Sequence, residues 1–249
     1  MSKPVMLITG ASRGIGAEIA RQAALAGYRV GVNYLHSEKQ ASQLVNEIRG
    51  AGGEALALRA DVSKLDEVVA MFAELDAHFG HLDVLVNNAG KVADFRVDAV
   101  DERNVSDLFA GNVLSVYYCA REAVRRMSTR HGGRGGVIIN MSSVAARTGG
   151  LPGGTAYAAT KGAIDSFNLA LAKEVGNEGI RVVAIRPGLI STEIHNVHGG
   201  IEKMQAMARS VVPMARAGDP AEVAKAALWL ASDGASYVHG TTIDVAGGR

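Results

Sequence analysis

The sequence predicts an α/β protein built on one doubly wound parallel sheet of about seven strands with helices on both faces. Three observations predict it. Short β-rich runs alternate with longer amphipathic stretches along all 249 residues. Most of those runs are nearly continuous in apolar residues, as strands buried on both faces of a parallel sheet are. No long linker or low-complexity segment interrupts the rhythm, and no solenoid-type repeat competes with it.

The elements follow in order. Val5 to Thr9 is the first strand, closed by Gly10, and Glu18 to Leu25 the first helix. Arg29 to Tyr34 and Glu54 to Arg59 are strands two and three, separated by a helical pattern over Glu38 to Arg49. Leu65 to Phe79 carries the next helical period and leads to a short fourth strand, Val84 to Val86. Val137 to Met141, Arg181 to Ile185 and Thr241 to Val245 complete the set. Glycine clusters at Gly132 to Gly136 and Gly149 to Gly154 are short enough to be loops within one domain spanning 1–249. The stretch from about Ser191 to Ala217 breaks the rhythm and is expected to be a helical flap over the substrate.

Composition narrows the function classes. Hydrophobic residues make up 48%, enough for a large core and too many for a disordered chain. The net charge of +1 gives no long-range pull toward nucleic acid. The one local concentration of base, Arg121, Arg125, Arg126, Arg130, His131 and Arg134, pairs arginines four apart and reads as a solvated helix face. A single cysteine, Cys119, excludes a disulfide within the chain and fits a reducing cytoplasm. No apolar run approaches the roughly 18 residues of a membrane span, and the first strand is too short for a signal peptide. His78 with His81, and His195 with His198 near Glu193, have spacings that a metal can use. Neither pair has the cysteine or carboxylate set that completes a site, so no metal is expected.

The chemistry starts at Thr9-Gly10-Ala11-Ser12-Arg13-Gly14-Ile15-Gly16, directly between the first strand and the first helix. Glycines here let the chain turn tightly and let a pyrophosphate approach the backbone N–H groups, with the positive end of the helix dipole facing it. That context predicts a Rossmann-type dinucleotide site. The spacing is Gly-x-x-x-Gly-x-Gly. Together with Asn87-Asn88-Ala89-Gly90 after strand four, Tyr157-Ala158-Ala159-Thr160-Lys161, Arg186-Pro187-Gly188 and the Asp244 to Gly248 ending, it resembles the short-chain dehydrogenase/reductase family along essentially the whole chain.

The end of strand two bears on the cofactor. Where an NAD-binding site carries an acid for the ribose hydroxyls, this chain has Tyr34 in Asn33-Tyr34-Leu35-His36-Ser37. No carboxylate there repels a 2′-phosphate. Arg13 is placed to pair with it, and Asn33, His36 or Ser37 to add hydrogen bonds, so NADP(H) is favoured over NAD(H). The resemblance further implies that Asp61 and Val62 contact adenine. It assigns Asn88, Ala89 and Gly90 to the cofactor's central part, and Pro187, Gly188, Ile190 and Thr192 to its nicotinamide end.

Tyr157 and Lys161, four apart, share one helix face. A tyrosine near pKa 10 is a poor base at neutral pH. A nearby ammonium favours its phenolate, so the pair can give a proton to a carbonyl or take one from an alcohol. The resemblance adds Lys161 on the nicotinamide ribose, Ser143 orienting the substrate oxygen, and Asn112 supporting a water that leads from the lysine. Choosing Ser143 over Ser142 is a matter of register. Taken singly, each of these residues has an ordinary structural reading; their joint occurrence carries the assignment. The expected function is hydride transfer between a nicotinamide and a small carbonyl or alcohol by a homotetramer, its helices at about 107–127 and 156–176 and its last strand packed on their mates. The alternatives are a non-catalytic dinucleotide-binding sensor or scaffold, which would be expected to lack one of these residues, and an epimerase or dehydratase, which needs a longer chain. No Gly-x-Ser-x-Gly elbow surrounds either serine, which disfavours a serine hydrolase.

Overall fold

The computed structural model describes residues 3–192 and 200–249. Seven parallel strands form one sheet: β1 (Val5–Ile8), β2 (Arg29–Tyr34), β3 (Glu54–Arg59), β4 (Val84–Asn87), β5 (Gly136–Met141), β6 (Ile180–Pro187) and β7 (Thr242–Val245). Their order is β3-β2-β1-β4-β5-β6-β7, with Leu7 aligned on Gly31 of β2 and on Leu85 of β4. The connection direction reverses beside β1. A crevice therefore opens beyond the carboxyl ends of β1 and β4, where open α/β sheets bind ligands.

Strand alternation sends successive apolar side chains to opposite layers. Met6, Ile8, Val30, Val32 and Ile139 meet α1 (Gly14–Leu25), α2 (Glu38–Gly50) and α9 (Pro220–Ala231). Val5, Leu7, Leu85 and Ile138 meet α3 (Leu65–Phe79), α5 (Ser115–Met127) and α7 (Thr155–Val175). Both faces are apolar because both are covered. Gly31 shows how closely they pack: a Cβ there would lie 2.9 Å from side-chain carbons of Leu7 and Leu75. The remaining helices are α4 (Glu102–Phe109), the single turn α6 (Ala145–Thr148) and α8 (Gly200–Val211).

One expectation changes. The arginine stretch is not one solvated face. Helix α5 ends at Met127, so Arg126 and Arg130 are not a helical pair. Arg126 instead bridges Asp76 and Glu122 and stacks over Phe72, while Arg130 pairs with Glu178. Strand β7 forms one edge of the sheet, with Asp244 exposed. In the flap region, α8 anchors through Met204 and Ala208, which cluster with Leu189 and Val212. His195, His198 and Glu193 lie outside the described residues.

Candidate active site

The loops after six strands converge on one crevice. Its first part is lined by Gly10, Ser12, Arg13, Gly14 and Ile15 after β1, Tyr34, His36 and Ser37 after β2, Asp61 and Val62 after β3, and Asn88, Ala89 and Gly90 after β4. The glycine turn is built for this. Gly10 and Gly14 have φ of +61° and +58°, the left-handed region that side chains disfavour. A Cβ on Gly10 would also sit 2.9 Å from Ala89 Cα. The first turn of α1 has no side-chain cap and no acidic residue, so its N–H groups open on the crevice with the dipole unopposed. Among the described residues, Asp61 is the only carboxylate lining this part. Burial pushes its pKa up, but hydrogen bonds from the Ser63 hydroxyl and N–H outweigh that and hold it below the usual range.

Two asparagines of the crevice wall brace the turn. Asn33 is 2% exposed; its Oδ1 accepts from the Gly10 N–H at 3.1 Å and its Nδ2 donates to the carbonyls of Leu58 and Ala60, each at 3.2 Å. Its amide is tied to three backbone groups while the residue still lines the crevice with His36 and Ser37. Asn88 Nδ2 donates to the Thr9 and Gly10 carbonyls at 2.9 and 3.1 Å. Gly16 does not line the crevice. Its place is beneath it, where a Cβ would stand 2.5 Å from Asn88 Nδ2.

The crevice continues, through Ile15, Asn88, Gly90, Lys91 and Thr192, into a cavity of about 160 Å³ lined by Ser143, Tyr157, Lys161, Pro187, Gly188 and Ile190. Helix α7 supplies Tyr157 and Lys161, whose ammonium stands 5.8 Å from the phenol ring centre. Ser143 and Tyr157 face the same cavity, and the Ser143 hydroxyl favours the ionised phenol. Ser142, by contrast, is buried and donates to the Lys161 carbonyl at 3.2 Å.

Burial dominates the electrostatics. It pushes the Tyr157 phenol up, with the Ser143 hydroxyl acting the other way. It pulls Lys161 down to about 8, with Asp165 one turn along opposing it. The Lys161 ammonium donates to the Met141 carbonyl at 2.8 Å.

Asn112 occupies a widened π turn, Ala110–Leu114, between α4 and α5. Its Oδ1 accepts from the Lys91 N–H at 2.7 Å, and its Nδ2 donates to the Lys91 carbonyl at 2.9 Å and to Thr160 Oγ1 at 3.1 Å. The side chain thus stands behind the crevice wall and fixes Lys91 and α7. It is not a lining residue.

With this geometry established, comparison with known proteins is direct. A family model described as enoyl-(acyl carrier protein) reductase matches residues 10–249. The oxidoreductase YgfF of Escherichia coli is 45% identical over 246 residues, covering 98% of this chain and 99% of the relative. The 3-oxoacyl-[acyl-carrier-protein] reductase FabG of Staphylococcus aureus is 40% identical, covering 97% of this chain and 96% of the relative.

The chain belongs to the short-chain dehydrogenase/reductase family. It is an oxidoreductase of that family, and solved structures agree with the architecture. A short chain dehydrogenase from Burkholderia cenocepacia in complex with NADP superposes with a TM-score of 0.90 at 28% identity, covering 99% of this chain and 97% of that one. A 3-oxoacyl-[acyl-carrier protein] reductase from Brucella melitensis gives 0.90 at 36% identity, covering 99% and 91%.

Sequence reading missed two cations in this short-chain dehydrogenase/reductase. Lys91 follows Asn87-Asn88-Ala89-Gly90 directly and lines both parts of the crevice; its adjacency to that motif was the available signal. Arg249 lines the cavity beside Tyr157, and no local signal marks it. Among the described residues no group of histidine, cysteine and carboxylate side chains has a metal-binding arrangement, and no helix is long and apolar enough to cross a membrane.

Proposed function

We propose that this protein is an NADP(H)-dependent reductase or dehydrogenase. In this reading it interconverts a carbonyl and a secondary alcohol on a small molecule, as a single-domain cytoplasmic homotetramer. The observation that carries the proposal is the convergence of Ser143, Tyr157 and Lys161 in the wall of a cavity continuous with the glycine-turn crevice.

The residues present fit a dinucleotide. The uncapped first turn of α1 suits a pyrophosphate, with Gly10, Ser12, Gly14 and Ile15 around it. Arg13, His36 and Ser37 are assigned to a 2′-phosphate beside Tyr34, where no acid stands, and Asp61 and Val62 to adenine. Asn88, Ala89 and Gly90 take the middle of the cofactor, with Pro187, Gly188, Ile190 and Thr192 at the far end and Lys161 on the ribose. Bound there, the nicotinamide supplies or accepts the hydride. Tyr157 holds its proton at neutral pH because burial raises its pKa, so its O–H is ready to protonate a carbonyl oxygen in reduction. In the reverse direction it must first lose that proton. Ser143 orients the substrate oxygen and stabilises charge that develops on it. Asn112 is a positioning residue that acts through Lys91 and Thr160.

The test is NADPH and NADH oxidation against ketones, diketones and acetoacetyl thioesters, with Tyr157→Phe alongside. NADPH-dependent turnover should fall at least about 100-fold in the variant. Equal rates in the two proteins would overturn the role of Tyr157, and a clear NADH preference would overturn the phosphate assignment.

A further inference from the structure

Arg249 stands in the wall of the same cavity as Ser143 and Tyr157, although it lies more than ninety residues from either in sequence. Its position is built. After β7 the chain turns through Gly247 and Gly248, both in the left-handed region at φ of +62° and +92°. The Gly188 N–H donates to the Val245 carbonyl at 3.0 Å, and the Met214 N–H donates to the Gly247 carbonyl at 3.1 Å, tying this turn to the loop after β6 and to the segment after α8. Arg147, on the short helix that follows Ser143, then clamps the end of the turn. Its Nη2 donates to the Arg249 main-chain oxygen at 2.6 Å and its Nε to Asp244 Oδ2 at 3.0 Å.

The guanidinium delivered by this turn is half-buried, and no carboxylate among the described residues pairs with it. Asp244, the nearest acid in sequence, is committed to Arg147 and Arg186. Among the described residues, the charged ones of the cavity wall are Lys91, Lys161, Arg249 and a single acid, Asp94. A half-buried cation held by a rigid turn and left unpaired beside the reacting groups is an arrangement that recognises an anion.

We infer that Arg249 is a specificity residue that binds an anionic oxygen group, a carboxylate or a phosphate, on the substrate whose carbonyl or hydroxyl meets Tyr157. The inference rests on the proposed hydride-transfer reading for the word substrate, but the anion site itself does not require turnover. Arg147 and Asp244 are positioning residues for it.

Two measurements separate the inference from that reading. The first is equilibrium binding of malonate, with malonamide as the neutral control, to the NADP-saturated protein, to its Tyr157→Phe variant and to its Arg249→Gln and Arg249→Lys variants. Malonate should bind the native protein and the Tyr157 variant alike, and Arg249→Gln should weaken it on the order of ten- to hundred-fold. The lysine variant should recover part of the loss, and malonamide should not distinguish the proteins. Phosphate in place of malonate tells the two anion types apart. The second is kcat/KM for acetoacetate against methyl acetoacetate. Arg249→Gln should lower the first mainly through KM and leave the second within about threefold. Malonate affinity unchanged in Arg249→Gln, or no malonate binding to the native protein, overturns the anion site. Intact malonate binding without any turnover leaves the site standing and counts against the redox reading instead.

Discussion

Ser142 and Ser143 are neighbours in sequence and differ in what they face. Ser143 is partly exposed and lines the cavity with Tyr157, whereas Ser142 is buried and donates to the Lys161 carbonyl. Ser143→Ala should therefore lower kcat on the order of 100-fold while leaving stability nearly unchanged. Ser142→Ala should leave kcat within about threefold and cost about 1 kcal/mol of stability. Steady-state rates and denaturant midpoints of the two variants check this pair of outcomes. Lys161 gives a pH signature in the cofactor-free protein. Its pKa is about 8 in the fold, against about 10.4 for an exposed lysine. Between those values the unfolded chain binds the extra proton, so stability rises with pH across that window and the contribution is flat below it. Cys119, whose thiol burial pushes well above its usual range, acts in the opposite sense once the pH passes about 8.5. The comparison with Lys161→Met isolates the lysine: the native protein should gain melting temperature relative to the variant from about pH 8 to 10.

The strand–turn–helix unit of β1 and α1 works only with clamps from other elements. Thr9 accepts hydrogen bonds from the Asn88 and Ala89 N–H groups at 3.0 Å each, and Asn33 and Asn88 fix Gly10 from two sides. Gly16→Ala should push Asn88 off the turn and weaken NADP binding at least about tenfold, with a smaller loss of stability; calorimetric titration with NADP measures it. A second buried device crosses the sheet. Asn87 on β4 donates to Asn140 on β5 at 2.9 Å, Asn140 donates to Asn168 on α7 at 3.1 Å, and Asn168 donates to the Thr241 carbonyl at 3.1 Å. Asn140→Ala strands a donor and an acceptor in the core and should cost about 2–4 kcal/mol in chemical denaturation. Both devices escaped sequence reading for one reason. An asparagine in an apolar run carries no mark of which backbone it will meet.

For the whole molecule, the exposed apolar residues Leu114, Tyr117 and Leu169 lie on or beside α5 and α7, the helices for which the tetramer expectation predicts packing against a mate. Sedimentation should give a tetramer, and Tyr117→Glu with Leu169→Glu should shift it to smaller species; a native monomer would remove the prediction. The strands were legible because a parallel sheet covered on both faces needs continuous apolar runs, and all seven fall within a residue or two of the expected bounds. The glycine turn and the Tyr157–Lys161 pair were legible because one loop and one helix hold each of them. Tertiary structure decided the rest. It buried Ser142 and left Ser143 partly exposed in the cavity wall, tied the amides of Asn33 and Asn112 to backbone groups, and made burial the main influence on Tyr157. It also brought Arg249 beside residues far from it in the chain. Local periodicity and spacing encode which element forms and which residues share its face. The partner of a polar side chain is set by whichever buried backbone group lacks a hydrogen bond, and only the packed chain decides which group that is.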